Sequence, residues 1–166
     1  MMNKILLLEQ EGKQKTRILK EFFQNLSPLL NIKGFFTDEI KALDEVQINL
    51  IAQSVSFSLN LKQKPEEVRK AVEPFLETLI YELSIFELID IFLLDKLGLF
   101  EIHIPRLQQQ IITVFSSRIP VIATAHQKDI AKLDYILDHF PIKILNLNEY
   151  DENDLFPNLI KELYDL

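Results

Sequence analysis

Eight residues, Glu9-Gln10-Glu11-Gly12-Lys13-Gln14-Lys15-Thr16, lie between the apolar run Ile5-Leu6-Leu7-Leu8 and a stretch of helical periodicity. A lysine followed by a threonine at such a junction closes the phosphate-binding pattern G-x-x-x-x-G-K-[S/T]. There the glycines let backbone amides fold into an anion cradle, the lysine meets the outer phosphates, and the hydroxyl binds magnesium. Lys15 and Thr16 stand in register, but Glu9 and Gln14 occupy the two glycine positions and only Gly12 remains inside. The candidate nucleotide-binding set is Gly12, Lys13, Lys15, Thr16 and Arg17. The Lys-Thr pair alone is a weak signal, because such dipeptides are common.

A second candidate is Asp95, which follows the apolar residues Ile91-Phe92-Leu93-Leu94. An acid at the end of a buried strand can orient magnesium, and the residue after it is usually a glutamate that polarises the attacking water. With Thr16 it forms the candidate magnesium pair, relevant only if a nucleotide binds. The alternative is an aspartate that ends a strand and caps the next turn. Lys96 stands where the glutamate belongs, so no catalytic residue is assigned. A charged lysine cannot act as a base, and its expected ion partners are Glu101 or Asp95. Glu101 itself reads as a surface acid, with a supporting position behind the site as the alternative.

Other residues carry less chemistry. His126 follows a strand end and is either a site residue or a loop histidine. His103 and His139 have no ligand partner at metal-binding spacing. Ser116-Ser117 ends a helix, and Asp151, Glu152 and Asp154 form a solvated loop and helix start. Phe22, Phe23, Phe35 and Phe36 belong to a core, with Phe35-Phe36 able to line a base pocket.

These residues need a frame. Residues 5–8, 32–37, 88–94, 119–125 and 142–147 read as strands apolar enough to be covered on both faces. Val46, Ile48 and Leu50, then Val55, Phe57, Leu59 and Leu61, alternate with polar residues, which predicts an antiparallel pair. Helices are expected from Ile18 to Leu26, from Pro65, from Pro105, over 129–137 and over 154–163. Pro74 should kink or divide the helix that begins at Pro65. Alternating strands and helices predict an α/β fold with a mostly parallel sheet and an antiparallel insertion. In such sheets ligands bind beyond the carboxyl ends of the strands.

The 166 residues read as one domain over 1–166, 48% hydrophobic and 26% charged, with only three glycines. The net charge of -7, with no basic face, argues against nucleic-acid binding. The absence of cysteine excludes disulfides, thiolate metal sites and cysteine nucleophiles. No apolar run approaches the roughly 20 residues of a membrane helix, and the expected location is the cytoplasm.

The chain resembles the small thermophile nucleoside-triphosphatase family, the one with a human cancer-related relative. Four segments carry the likeness in the family's order. They are Lys4 through Thr16, Lys33-Gly34-Phe35-Phe36-Thr37-Asp38-Glu39-Ile40, Leu94-Asp95-Lys96-Leu97-Gly98-Leu99-Phe100-Glu101, and Pro120-Val121-Ile122-Ala123-Thr124-Ala125-His126. All three glycines, Gly12, Gly34 and Gly98, fall on family motif positions. The likeness implies a P-loop three-layer sandwich binding ATP or GTP with magnesium. The departures imply decay. Gln14 burdens a position that favours glycine, and Glu9 and Glu11 stand beside a polyanion site. A carboxylate about 8 Å from a phosphate charge opposes binding by roughly 2 kcal/mol at an effective dielectric near 20. The family's arginine is also missing from the loop after Leu147.

The expectation is therefore a degenerate member with weak or lost nucleotide binding, impaired hydrolysis and a role through protein partners that the sequence leaves unnamed. The rivals are a slow nucleotide hydrolase using Lys15, Thr16 and Asp95, and a domain for another ligand at the same strand ends. An ion pair between Lys15 and Asp95 is expected to close the old site.

Overall fold

Burial alternates along the strands, and that alternation decides the layers. In the computed structural model, which describes residues 3–9, 13–60 and 62–164, β1 (Lys4–Glu9) is buried throughout. Its Leu6 and Leu8 enter one core while Ile5 and Leu7 enter another. The strand β5 (Ile91–Leu94) behaves alike, with Phe92 and Leu94 on the first side and Ile91 and Leu93 on the second. Successive side chains of a strand point to opposite faces, so a strand apolar at every position needs cover on both.

The covers are helices. The first core takes Val68, Val72 and Leu79 from α2 (Pro65–Glu82), Leu107 and Ile111 from α3 (Pro105–Ser116), and Ile136 from α4 (Asp134–Leu137). The second takes Ile18, Leu19 and Phe22 from α1 (Lys13–Leu26), and Leu155, Leu159 and Leu163 from α5 (Glu152–Tyr164). The remaining strands are β2 (Ile32–Ile40), β3 (Glu45–Leu50), β4 (Ser56–Asn60), β6 (Val121–His126) and β7 (Lys143–Asn146). The sheet runs β4-β3-β2-β5-β6-β1-β7. β2, β5, β6, β1 and β7 are parallel, and β3 and β4 extend one edge antiparallel. This is the three-layer α/β arrangement the sequence predicts. No helix of the described residues is long and apolar enough to cross a membrane.

Local expectations fail in two places, and in a third one alternative is ruled out: Pro74 does not divide α2, which runs on through it. Pro74 is exposed while Val72 and Leu79 anchor both sides in the core, so one missing backbone bond is tolerated. β5 begins only at Ile91, because Leu88 is 85% exposed with φ at 64° and Asp90 turns its carboxylate to the Asn31 amide. Residues 127–133 form 3₁₀ turns before the short α4, in place of one helix over 129–137. Leu61, assigned to the second strand of the antiparallel pair, lies outside the described residues.

One glycine is a packing requirement. Gly34 in β2 has φ at 130°, and a Cβ there would lie 1.8 Å from the Leu93 carbonyl oxygen of β5. Only hydrogen fits between these two strands.

Candidate functional site

The five parallel strands end on one edge of the sheet, and of the predicted residues Glu9, Asp95, Lys96 and His126 lie at those ends. The register sets Glu9 opposite His126, and Phe35 of β2 opposite Leu94. Asp95, the next residue after β5, is fully buried. Its Oδ2 accepts the Thr37 amide at 2.9 Å and the Thr37 hydroxyl at 3.0 Å, and its Oδ1 accepts the Thr124 hydroxyl at 2.7 Å. Thr124 Oγ1 in turn accepts the Lys96 amide at 2.7 Å, and the Leu97 amide donates to the Thr124 carbonyl at 2.8 Å. The ends of β2, β5 and β6 are thus stitched by one buried network. A buried carboxylate with several donors is stable where an unsatisfied one would not be.

Lys96 takes a left-handed backbone conformation, with φ at 58°. This is uncommon for a residue with a side chain and marks local strain of the kind found at functional turns. Its Nζ reaches Glu39 Oε1 at 3.2 Å across the end of β2, not Glu101 or Asp95 as the sequence suggested. Glu39 belongs to the segment 33–40 and Lys96 to the segment 94–101, so two sequence motifs meet through this pair. Nearby, Asp38 takes Lys20 of α1 at 2.7 Å and Asn49 of β3 at 2.9 Å.

Glu101 corrects the sequence reading most sharply. It is fully buried, not a surface acid. Its Oε1 accepts the Gly98 amide at 2.6 Å and its Oε2 accepts the Tyr135 hydroxyl at 2.5 Å. Burial raises its carboxyl to about 7, against the opposing pull of these hydrogen bonds and of its own backbone amide, with Asp129 adding to the rise. Burial also raises the Tyr135 hydroxyl far above its ordinary range, and the Glu101 charge adds to it. The sequence marks Glu101 as the end of the segment 94–101 but not its burial, because its aromatic partner comes 34 residues later.

The other candidates separate. His126 caps the following 3₁₀ segment, its Nδ1 accepting the Lys128 amide at 3.2 Å, which leaves the ring proton on Nε2. His103 and His139 join no metal cluster, and among the described residues no group of three or more histidine, aspartate or glutamate side chains is placed to hold a metal ion. Lys15 and Thr16 lie in the first turns of α1, directly after the loop from β1, where a phosphate loop meets its helix. Arg17 is exposed near the start of that helix. Gly12 lies outside the described residues, as do the side chains of Lys13, Gln14, Lys15 and Thr16. The Lys15–Asp95 ion pair therefore also falls outside them. Phe22, Phe35 and Phe36 are buried and Phe23 is partly buried, as core residues should be.

Asp95 and its neighbours fit a magnesium ion poorly. Magnesium needs oxygen ligands with free lone pairs, in near-octahedral geometry. Asp95 already spends at least three of roughly four lone-pair sites on Thr37 and Thr124. The adjoining residue is Lys96, whose ammonium pairs with Glu39, in place of the glutamate expected there.

Comparison with known proteins agrees with this geometry. The sequence pattern of the NTPase family matches residues 4–160. A search of curated proteins finds no match. Among solved structures, a human cancer-related nucleoside triphosphatase is similar at 16% identity with a TM-score of 0.72, over 96% of each chain. THEP1 from the hyperthermophile Aquifex aeolicus is similar at 18% identity with a TM-score of 0.69, over 96% of this chain and 98% of that one. The family pattern spans both Lys15-Thr16 after β1 and the buried Asp95 after β5, and the chain belongs to the NTPase family of P-loop nucleoside triphosphatases.

Proposed function

We propose that this family member has lost efficient hydrolysis, holds nucleotide weakly, and serves its role through protein partners. The observation that carries the reading is Lys96. It stands at the water-positioning place and is tied to Glu39 at 3.2 Å, while the Asp95 carboxylate beside it is engaged by two threonines. A protonated lysine accepts no proton from water, so general-base assistance, typically worth 10²–10⁴-fold, is missing. In this reading Gly12, Lys13, Lys15, Thr16 and Arg17 form the residual phosphate cradle. Thr16 and Asp95 stand where the magnesium residues would be, but Asp95 is taken up by Thr37 and Thr124 and holds the ion poorly, and Glu9 and Glu11 weaken the whole. ATP and GTP with magnesium are the ligands to try.

A second reading is favoured by the retained Lys15-Thr16 at the start of α1. In it the chain still binds and slowly hydrolyses nucleotide through Lys15, Thr16 and Asp95.

Calorimetry with ATP and GTP in magnesium, paired with phosphate-release assays, decides between the two. The expected result is binding weaker than micromolar, with no turnover above buffer. The triple variant Glu9→Gly, Gln14→Gly, Lys96→Glu should bind more tightly and gain turnover. Micromolar binding accompanied by turnover in the unaltered chain overturns the degenerate reading in favour of the second.

A further inference from the structure

The sheet ends in two strands whose open sides differ. β7 follows Pro141 closely and begins at Lys143, which is exposed and pairs with Glu162 of α5. A proline and a lysine are devices that keep an edge from pairing with another chain. β4, at the other end of the strand order, reads Ser56-Phe57-Ser58-Leu59-Asn60 and holds neither. From Val46 to Leu61 no residue is charged, the longest such run in a chain that is 26% charged.

The ladder fixes which backbone groups of β4 face outward. The Leu50 amide donates to the Val55 carbonyl at 3.0 Å, and the Ile51 amide donates to the Gly34 carbonyl at 3.0 Å. Successive residues of a middle strand address alternate neighbours, so Ile48 and Val46, like Leu50, bond toward β4. Their partners Phe57 and Leu59 therefore point inward. Ser56, Ser58 and Asn60 point outward, to a side where no strand of the described residues lies. The Asn60 carbonyl takes the Gln63 amide at 3.4 Å, which leaves the amides of all three residues and the carbonyls of Ser56 and Ser58 for a new partner.

This strand is complementary to itself. In an antiparallel pair centred on Ser58, that serine meets Ser58 of a second copy, Phe57 meets Leu59, and Ser56 meets Asn60. The exposed face then sets polar against polar, and the core face apolar against apolar. A one-residue slip would oppose serines to Phe57 and Leu59, and a two-residue slip would leave end residues unpaired. The core is also incompletely closed at this edge: Phe57 stacks on Phe75 of α2 at 4.6 Å, and Phe75 and Val55 are only partly buried. Two chains of net charge -7 repel, and an uncharged edge lets them approach to the roughly 4.8 Å of paired strands with no like charges opposed.

We propose that β4 is a dimerisation edge on which a second copy of this chain lays its own β4 antiparallel, centred on Ser58, joining two seven-stranded sheets into one. The contact uses the same strand of both copies, so it closes at two. The outer ends of the joined sheet are then the β7 strands with their lysines. A five-residue edge is small beside the roughly 800 Å² per partner of a stable complex, so the dimer is weak and reversible. β3, β2, β5 and β6 separate β4 from β1, and the interface uses no residue of the phosphate loop.

Analytical ultracentrifugation of the intact protein without nucleotide, from about 10 μM to about 1 mM, tests the dimer in the range of weak complexes. A monomer–dimer equilibrium with its midpoint in that range is expected. Ser58→Pro removes an outward amide, which edge strands tolerate in the monomer. It should leave the urea midpoint unchanged and weaken association about tenfold or more. Ser58→Lys and Ser58→Glu change only an exposed side chain, so they serve even if the proline variant unfolds. Each alone should be monomeric, because like charges meet at the two-fold axis, and an equimolar mixture should associate again. A chain that stays monomeric to about 1 mM overturns the proposal. So does a dimer indifferent to the Ser58 variants, or a Lys and Glu mixture that does not associate. These outcomes involve no nucleotide and are separate from the test of function.

Discussion

Glu82 and Glu101 are both fully buried, and each accepts the amide of a glycine held at positive φ. Glu82, at the end of α2, takes Gly34 of β2 at 3.0 Å and Ala52 at 3.2 Å on one oxygen, and the Gln53 side chain at 3.4 Å on the other. It fastens the antiparallel insertion to the parallel sheet with donors that are mostly backbone. Glu101 takes the Gly98 amide and its own amide from the backbone and the Tyr135 phenol, with the Asp129 carboxylate acting against it. The same residue type at the same burial thus does two jobs. The donor sets are of similar size; at Glu101 burial and a like charge raise the carboxyl toward neutral pH in spite of them.

The largest expected effect breaks the joint. Gly34→Ala drives a Cβ to within 1.8 Å of the Leu93 carbonyl oxygen. It should cost more than about 4 kcal/mol, or abolish cooperative urea unfolding altogether. Next, Glu82→Ala strips the acceptor from two backbone amides and should cost about 2–4 kcal/mol by denaturant titration.

The third sharpens the contrast through pH. Glu101 is raised from 4.5 to about 7 in the folded chain, so the folded state holds its proton more tightly than the unfolded one. Its contribution is full below 4.5 and is lost as pH rises through about 7. Denaturant midpoints taken across that window should fall by the equivalent of about 3 kcal/mol, and Glu101→Gln should flatten the profile. A wild-type profile as flat as that of Glu101→Gln would place Glu101 with Glu82 as a fixed joint.

The smallest effect is at Lys96. Lys96→Gly relieves a left-handed conformation at φ 58° but removes the pair with Glu39, whose side chain is 37% exposed. Strain relief of about 1–2 kcal/mol against a pair worth about 0–1 kcal/mol should leave the variant slightly more stable by thermal denaturation. A marked loss would show that the Lys96–Glu39 pair outweighs the strain.

Much of the frame is legible in the sequence because it is written in neighbouring residues. The apolar run before Glu9, the strand ending at Asp95 and the prolines opening α2 and α3 are local patterns with local causes. The alternation from Val46 to Leu59 gives the antiparallel pair directly. Local reading fails where the decisive partner is remote. Leu88 extends an apolar run, yet hydrogen bonds from Asn31 to the Leu88 carbonyl and the Asp90 carboxylate hold residues 88–90 in a turn. Lys96 finds Glu39 across 57 residues, past nearer acids. Glu101 looks like any polar residue in a loop until α4 closes over it.

By itself the sequence determined the order of strands and helices, the family likeness, and the replacements Glu9, Gln14 and Lys96, since each depends only on residue type and short spacing. Tertiary structure alone decided what the acids do. A carboxylate's charge state and task depend on which donors, cations and other carboxylates the fold brings within a few ångströms. Asp95 is therefore committed to Thr37 and Thr124, Glu82 to a joint, and Glu101 to Gly98 and Tyr135.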